Sequence, residues 1–154
     1  MDEADSSVAL PCAEVVEVWP RDGRITLRLT LVGASAGAAT LLLRTRGAAR
    51  HREELRVAAE GSGREFTATV PLEPLVREPG EDSATGSWTW DLYLIPEGGA
   101  RLLRVGRHLD DVRGKKHIFR YPVQHAHGTA VEPYFTVRDN FSLACRRDGG
   151  RAAP

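Results

Sequence analysis

Hydrophobic residues recur at every second position through several stretches of this chain. Arg24–Val32, RITLRLTLV, is the cleanest case. Ile25, Leu27, Leu29 and Leu31 fall on one side of a pleated strand, and Thr26, Arg28 and Thr30 on the other. One dry face and one wet face is the pattern of an antiparallel sheet packed on one side. Ser87–Gly106, SWTWDLYLIPEGGARLLRVG, repeats that period in two parts. Trp88, Trp90, Leu92 and Leu94 alternate with Thr89, Asp91, Tyr93 and Ile95. Pro96-Glu97-Gly98-Gly99 then turns the chain, and Leu102, Leu103 and Val105 begin a return strand. Two tryptophans on one face need a large partner surface, so Trp88–Leu94 is expected to be a core strand.

Further strands are expected at Ala13–Trp19, closed by Pro20-Arg21-Asp22-Gly23, and at Thr40–Arg46 and Arg64–Val70; the spacing of Glu53–Ala59 fits a strand or a helical turn, and the sharp Gly61-Ser62-Gly63 end favours a strand. Leu72 and Leu75 are expected to pin the start of the irregular Pro71–Gly86 segment with a short turn. His117–Tyr121 reads as another short strand. Tyr134–Val137 and Phe141–Cys145 read as a hairpin whose Asp139-Asn140 supplies the positive φ of the turn. No long helix and no internal repeat is visible. About nine short strands punctuated by turns predict an all-β fold, an Ig-like or fibronectin-III-like antiparallel β-sandwich. The expected layout is one domain over 9–147, between a disordered leader at 1–8 and a disordered tail at 148–154.

Composition narrows the partners. The 154 residues carry 21 basic and 21 acidic side chains, which argues against a broad nucleic-acid surface. No apolar run reaches the ~20 residues of a membrane span. The acidic start MDEADSS does not resemble a secretory signal, so a cytoplasmic location is expected. Cys12 and Cys145 are the only cysteines; in a reducing compartment they are expected as free thiols, although a bond between first and last strands is geometrically possible in a sandwich.

Candidate chemistry is sparse. His125-Ala126-His127, if extended, puts two imidazoles on one face; a metal site there needs a third ligand from His108, His117, Asp110 or Asp111. Two histidines alone are a weak pattern, so no metal or cofactor is assigned. Asp110-Asp111 and Glu81-Asp82 read as solvated acidic loops. No Gly-x-Ser-x-Gly elbow mounts a nucleophile, and Gly33–Ala39 lacks the Gly-Lys-Ser/Thr of a phosphate loop. Residues 101–120 are biased to basic side chains, among them Arg104, Arg107, Lys115 and Lys116, which suit phosphate oxygens. Trp19, at a strand end before Pro20, and Tyr134 are the aromatic candidates for stacking on a sugar.

The strand carrying Trp88, Trp90, Asp91 and Leu92, followed by Arg104 and Gly106, occurs here with a late hairpin carrying Pro133, Tyr134, Thr136, Asn140 and Leu143. Together these resemble small β domains of actinobacteria that accompany cell-surface glycopolymer transferases of the teichoic-acid type, whether glycosyl- or glycerophosphotransferases. The resemblance covers residues 87–146. It implies a non-catalytic accessory module that binds an anionic glycopolymer or a transferase partner. The chain has no nucleotide-sugar-binding α/β unit and no Asp-x-Asp element, so transfer chemistry is not expected of it alone. Two other readings stay open: a small metal-dependent enzyme using His125 and His127, and a structural partner that pairs through an edge strand.

Overall fold

The computed structural model describes residues 11–46, 53–77, 86–98, 101–107 and 121–147. These residues form ten strands: β1 (Cys12–Arg21), β2 (Arg24–Val32), β3 (Ala39–Thr45), β4 (Glu54–Ser62), β5 (Glu65–Pro71), β6 (Ser87–Pro96), β7 (Leu103–Gly106), β8 (Gln124–Ala126), β9 (Thr129–Phe135) and β10 (Phe141–Arg147). The period-two patterns become burial patterns directly. Ile25, Leu27, Leu29 and Leu31 of β2 are fully buried, as are Leu92 and Leu94 of β6. In β1 the phase slips once. A bulge between Val15 and Glu17 turns Val16 outward, so that Val15 and Val18 both pack inward.

The all-β expectation holds, but the two open sheets of a sandwich do not describe the pairing. The order β3-β4-β5-β2-β1-β7-β6 returns to β3 and closes a seven-strand barrel; β10-β9-β8 continue outward from β6. Two strands make the closure. Residues 54–59 of β4 pair with β3, and residues 60–62 pair with β5, so one strand serves both layers. Short β7 pairs with β6 on one side and runs parallel to β1 on the other, through Ala13↔Val105 and Glu14↔Gly106. In a sandwich, β4 and β7 would be free edges; here both are covered. The β4 handover runs into Gly61 at φ 134, where an added Cβ would lie 2.2 Å from the Glu65 carbonyl oxygen, so only glycine fits.

The short turn expected at Leu72 and Leu75 is present and plugs the core. Leu75 N–H and Val76 N–H both bond to the Leu72 carbonyl, and Leu72 and Leu75 are buried. The Leu75 carbonyl then receives the indole N–H of Trp88 (3.0 Å) and of Trp90 (3.2 Å), and the Cys145 thiol at 3.6 Å. Without this acceptor, two buried indole donors would lose their partner. Both cysteines are free. Burial pushes the Cys145 thiol up to about 12, against a smaller lowering by its hydrogen bond with Trp90.

Other expectations shift. Gln124–Ala126 is a short strand, and Tyr121, expected to end the His117–Tyr121 strand, lies outside any strand. His127 sits in the β8–β9 turn at φ 50, so the two histidines do not share a strand face. The 1–8 leader, the 148–154 tail, the 47–52 loop, most of 78–86, and 108–120 fall outside the described residues. Among the described residues no helix is long and apolar enough to cross a membrane.

Candidate functional site

Two outer faces of the barrel carry the polar side chains of interest. The first lies over β3, β6, β10 and β9. Cross-strand pairing sets Arg44, Asp91, Ser142 and Tyr134 in one row, and the next row holds Leu42, Tyr93 and Arg104. Asp91 is the hub. Its Oδ1 accepts from Arg104 Nη2 at 2.9 Å and from Ser142 Oγ at 2.8 Å. Arg46 Nε donates to Oδ1 and Oδ2 at 3.1 and 3.0 Å. Arg104 also donates to Ser142 Oγ (2.9 Å) and, through Nη1, to the Phe141 carbonyl at 2.6 Å and the carbonyls of Leu92 and Val105 at 3.3 Å. The guanidinium groups of Arg44 and Arg104 stand 5.4 and 5.5 Å from the centre of the Tyr93 ring.

The two arginines on Asp91 respond differently. Burial lowers the Arg104 pKa, and nearby Asp91 partly opposes this. The hydrogen bond to Asp91 raises that of Arg46, with Tyr134 adding to it. Both stay cationic at any ordinary pH. Ser142 is fully buried and donates its hydroxyl proton to Asp91. The network ties β6, β7 and β10 to the residue after β3, at the point where β10 and β7 share one edge of β6.

The second face lies over β1, β2 and β5. Trp19, Thr26 and Thr69 form a row across these strands, with the two hydroxyl groups 3.4 Å apart. Trp19 is 47% exposed. It lines a cleft of about 420 Å³ with Arg21, Asp22, Arg24 and Thr26. The only described ion pair there, Arg21 with Asp22, is long at 3.7 Å and fully at the surface. The β1–β2 turn that carries these side chains is held firmly. Asp22 and Gly23 take φ 60 and 75, as a two-residue hairpin requires. Gln124 clamps the turn from β8: its Oε1 accepts from Gly23 N–H at 3.0 Å, and its Nε2 donates to the Arg24 carbonyl at 2.9 Å. Leu72 N–H bonds to the Gly23 carbonyl at 3.1 Å.

The structure therefore brings Arg104 and Tyr134 together, through Arg46 and Asp91, and sets Trp19 on a different face. Arg107 is near the first face, its guanidinium 5.0 Å from the Phe135 ring centre. Lys115 and Lys116 lie outside the described residues. His125 and His127 are exposed, and among the described residues no three His, Cys, Asp or Glu side chains cluster as metal ligands. Sequence reading assigns no site role to Arg46, Ser142, Gln124 or Asp91, although Asp91 stands among the residues of the family resemblance. The available signal was Asp91 itself, since aspartate is disfavoured in a strand interior and one placed there asks for partners.

Fold and faces together define an all-β barrel domain with a cross-braced outer sheet and an open aromatic cleft. No protein-family model and no curated protein matches the chain. Solved structures do. A crystal structure of a fragment of S. aureus TarS superimposes with TM-score 0.57 at 17% identity, over 90% of this chain and 39% of that one. A crystal structure of S. aureus TarS gives 0.55 at 16% identity, over 89% and 25%. This chain thus spans well under half the length of either. TarS is a teichoic acid glycosyltransferase; at 16–17% identity the likeness is one of fold. The actinobacterial source implied by the sequence resemblance finds no counterpart in these S. aureus matches.

Proposed function

We propose that this chain is a non-catalytic accessory module of a cell-envelope glycopolymer transferase system, acting on the cytoplasmic side in an actinobacterial cell. The supporting observation is the likeness, over nine-tenths of the chain, to part of a teichoic acid glycosyltransferase. The module binds anionic glycopolymer or the transferase that handles it. Trp19 and Tyr134 supply aromatic surface for sugar; Arg107, Lys115 and Lys116 supply cationic groups for phosphate, while Arg104, engaged by Asp91, Ser142 and the Phe141 carbonyl, braces the face beside Tyr134.

Calorimetric titration of the purified chain with glycosylated poly(glycerol phosphate) tests this reading. Binding at low salt that weakens as salt rises, and weakens further in a Lys115→Ala/Lys116→Ala variant, is the expected result. No detectable binding at low salt, combined with no association with a teichoic acid transferase in a mixed gel-filtration run, overturns it.

A further inference from the structure

We infer that the Trp19 cleft is a preformed saccharide-binding site whose ligand carries phosphate next to the stacked sugar. The inference rests on the accessory-module reading for its choice of polymer, but its geometry stands apart from it. Of the three tryptophans, two are inside the barrel with their indole N–H groups bonded to the Leu75 carbonyl. Trp19 alone presents its ring outward. An exposed indole ring at the wall of a cleft suits the apolar C–H face of a pyranose. Beyond it, Thr26 and Thr69 continue the same cross-strand row with two hydroxyl groups, each able to donate and accept. Strands are spaced at about 4.8 Å, so the row runs roughly 10 Å, long enough for more than one sugar unit.

The rim supplies the charge. Arg21, Arg24 and Asp22 all face the cleft and are exposed, leaving an excess of one positive charge. Asp22 matches sugar hydroxyl groups, and Arg24 matches a phosphate oxygen by paired N–H donors. A neutral saccharide would leave that excess cation unmatched; a bare polyol phosphate would leave the ring unmatched.

The rim is also rigid in a way its position at a hairpin tip does not require. Three hydrogen bonds from two distant segments hold it: two from Gln124 and one from Leu72. A binding site held in place before its ligand arrives loses less freedom on binding. Gln124 is therefore a positioning residue for the cleft.

Tryptophan fluorescence tests the site, because acrylamide quenches exposed Trp19 ahead of buried Trp88 and Trp90. Three probes are titrated: a glycosylated poly(glycerol phosphate) oligomer, the same oligomer stripped of its sugars, and maltotriose. The expected order is glycosylated polymer tightest, with protection of Trp19 from acrylamide, and the other two at least about tenfold weaker, a difference near 1.4 kcal/mol. Trp19→Ala and Arg24→Gln each lose about tenfold for the glycosylated polymer while their urea midpoints stay at the wild-type value. Gln124→Ala weakens the same binding, and so does Gln124→Glu, which keeps an acceptor for Gly23 N–H but sets a carboxylate oxygen against the Arg24 carbonyl. Binding of the wild type that survives Trp19→Ala unchanged overturns the site but leaves the accessory-module reading standing. Equal binding of sugared and stripped polymer overturns it also. Absence of binding of all three probes to the wild type overturns the site, and the accessory-module reading falls with it only when the chain also fails to associate with a teichoic acid transferase in gel filtration.

Discussion

The two outer faces of the barrel use the same kinds of side chain for opposite ends. Over β3, β6 and β10, two arginines, an aspartate and a serine satisfy one another within 2.8–3.4 Å, and Asp91 and Arg104 are mostly shielded from water. Over β1, β2 and β5, two arginines and an aspartate line a cleft with one loose 3.7 Å contact between them. Charges taken out of water must pair well or they cost stability. Charges left in water contribute little to the fold and stay available to a ligand. The tryptophans divide in the same manner: Trp88 and Trp90 support the core, and Trp19 does not.

Substitutions sharpen that contrast, and the largest effect belongs to the inward ring. Trp90→Ala removes a buried indole and a hydrogen bond to Leu75, and should cost about 4 kcal/mol in urea unfolding. Asp91→Ala strands Arg46 and Arg104 without their carboxylate; a loss of about 3 kcal/mol is expected, with Asp91→Asn milder because it keeps one acceptor. If Asp91→Ala proves neutral, the first face is no brace. The Cys145 thiol gives a pH-dependent test. Its proton is held to about 12 in the fold against 9.0 for a free thiol. The unfolded chain therefore ionises first, and the stabilisation is whole below pH 9.0 and erodes as pH rises from there towards 12. Wild type should lose stability relative to Cys145→Ala by about 1 kcal/mol per pH unit across that window, seen as converging urea midpoints. Smallest is Trp19→Ala, expected to stay within about 0.5 kcal/mol of wild type in the same assay. A cost comparable to that of Trp90→Ala would place Trp19 in the fold's support and close the contrast.

The strands were legible because their burial is one-sided. Ile25–Leu31 and Trp88–Leu94 announce themselves by alternation, and Leu72 and Leu75 by their place just after a strand. Barrel closure was not legible, because no local pattern states that β4 changes partners at Ala59 or that β7 lies parallel to β1. The sandwich expectation failed at those two strands alone. Gln124–Ala126 escaped notice for a related reason: a three-residue strand has no room for a period, and neither Gln nor His favours a strand. Of the sites, Trp19 was legible from Pro20 beside it at a strand end. The Asp91 brace was not, since its four members come from β6, β7, β10 and the residue after β3, brought together only by register.

The four residues of β7 carry a mechanical consequence. This stave is joined to its neighbours by two residue pairs on each side, whereas β1 and β2 share nine. A closed wall under thermal stress parts where its joints are fewest. That seam lies beside Arg104, whose side chain reaches across to the Leu92 and Phe141 carbonyls of β6 and β10. The guanidinium thus acts as a rivet at the thinnest joint, and amide exchange at Leu103–Gly106 should report the opening of the whole ring before any other strand of it yields.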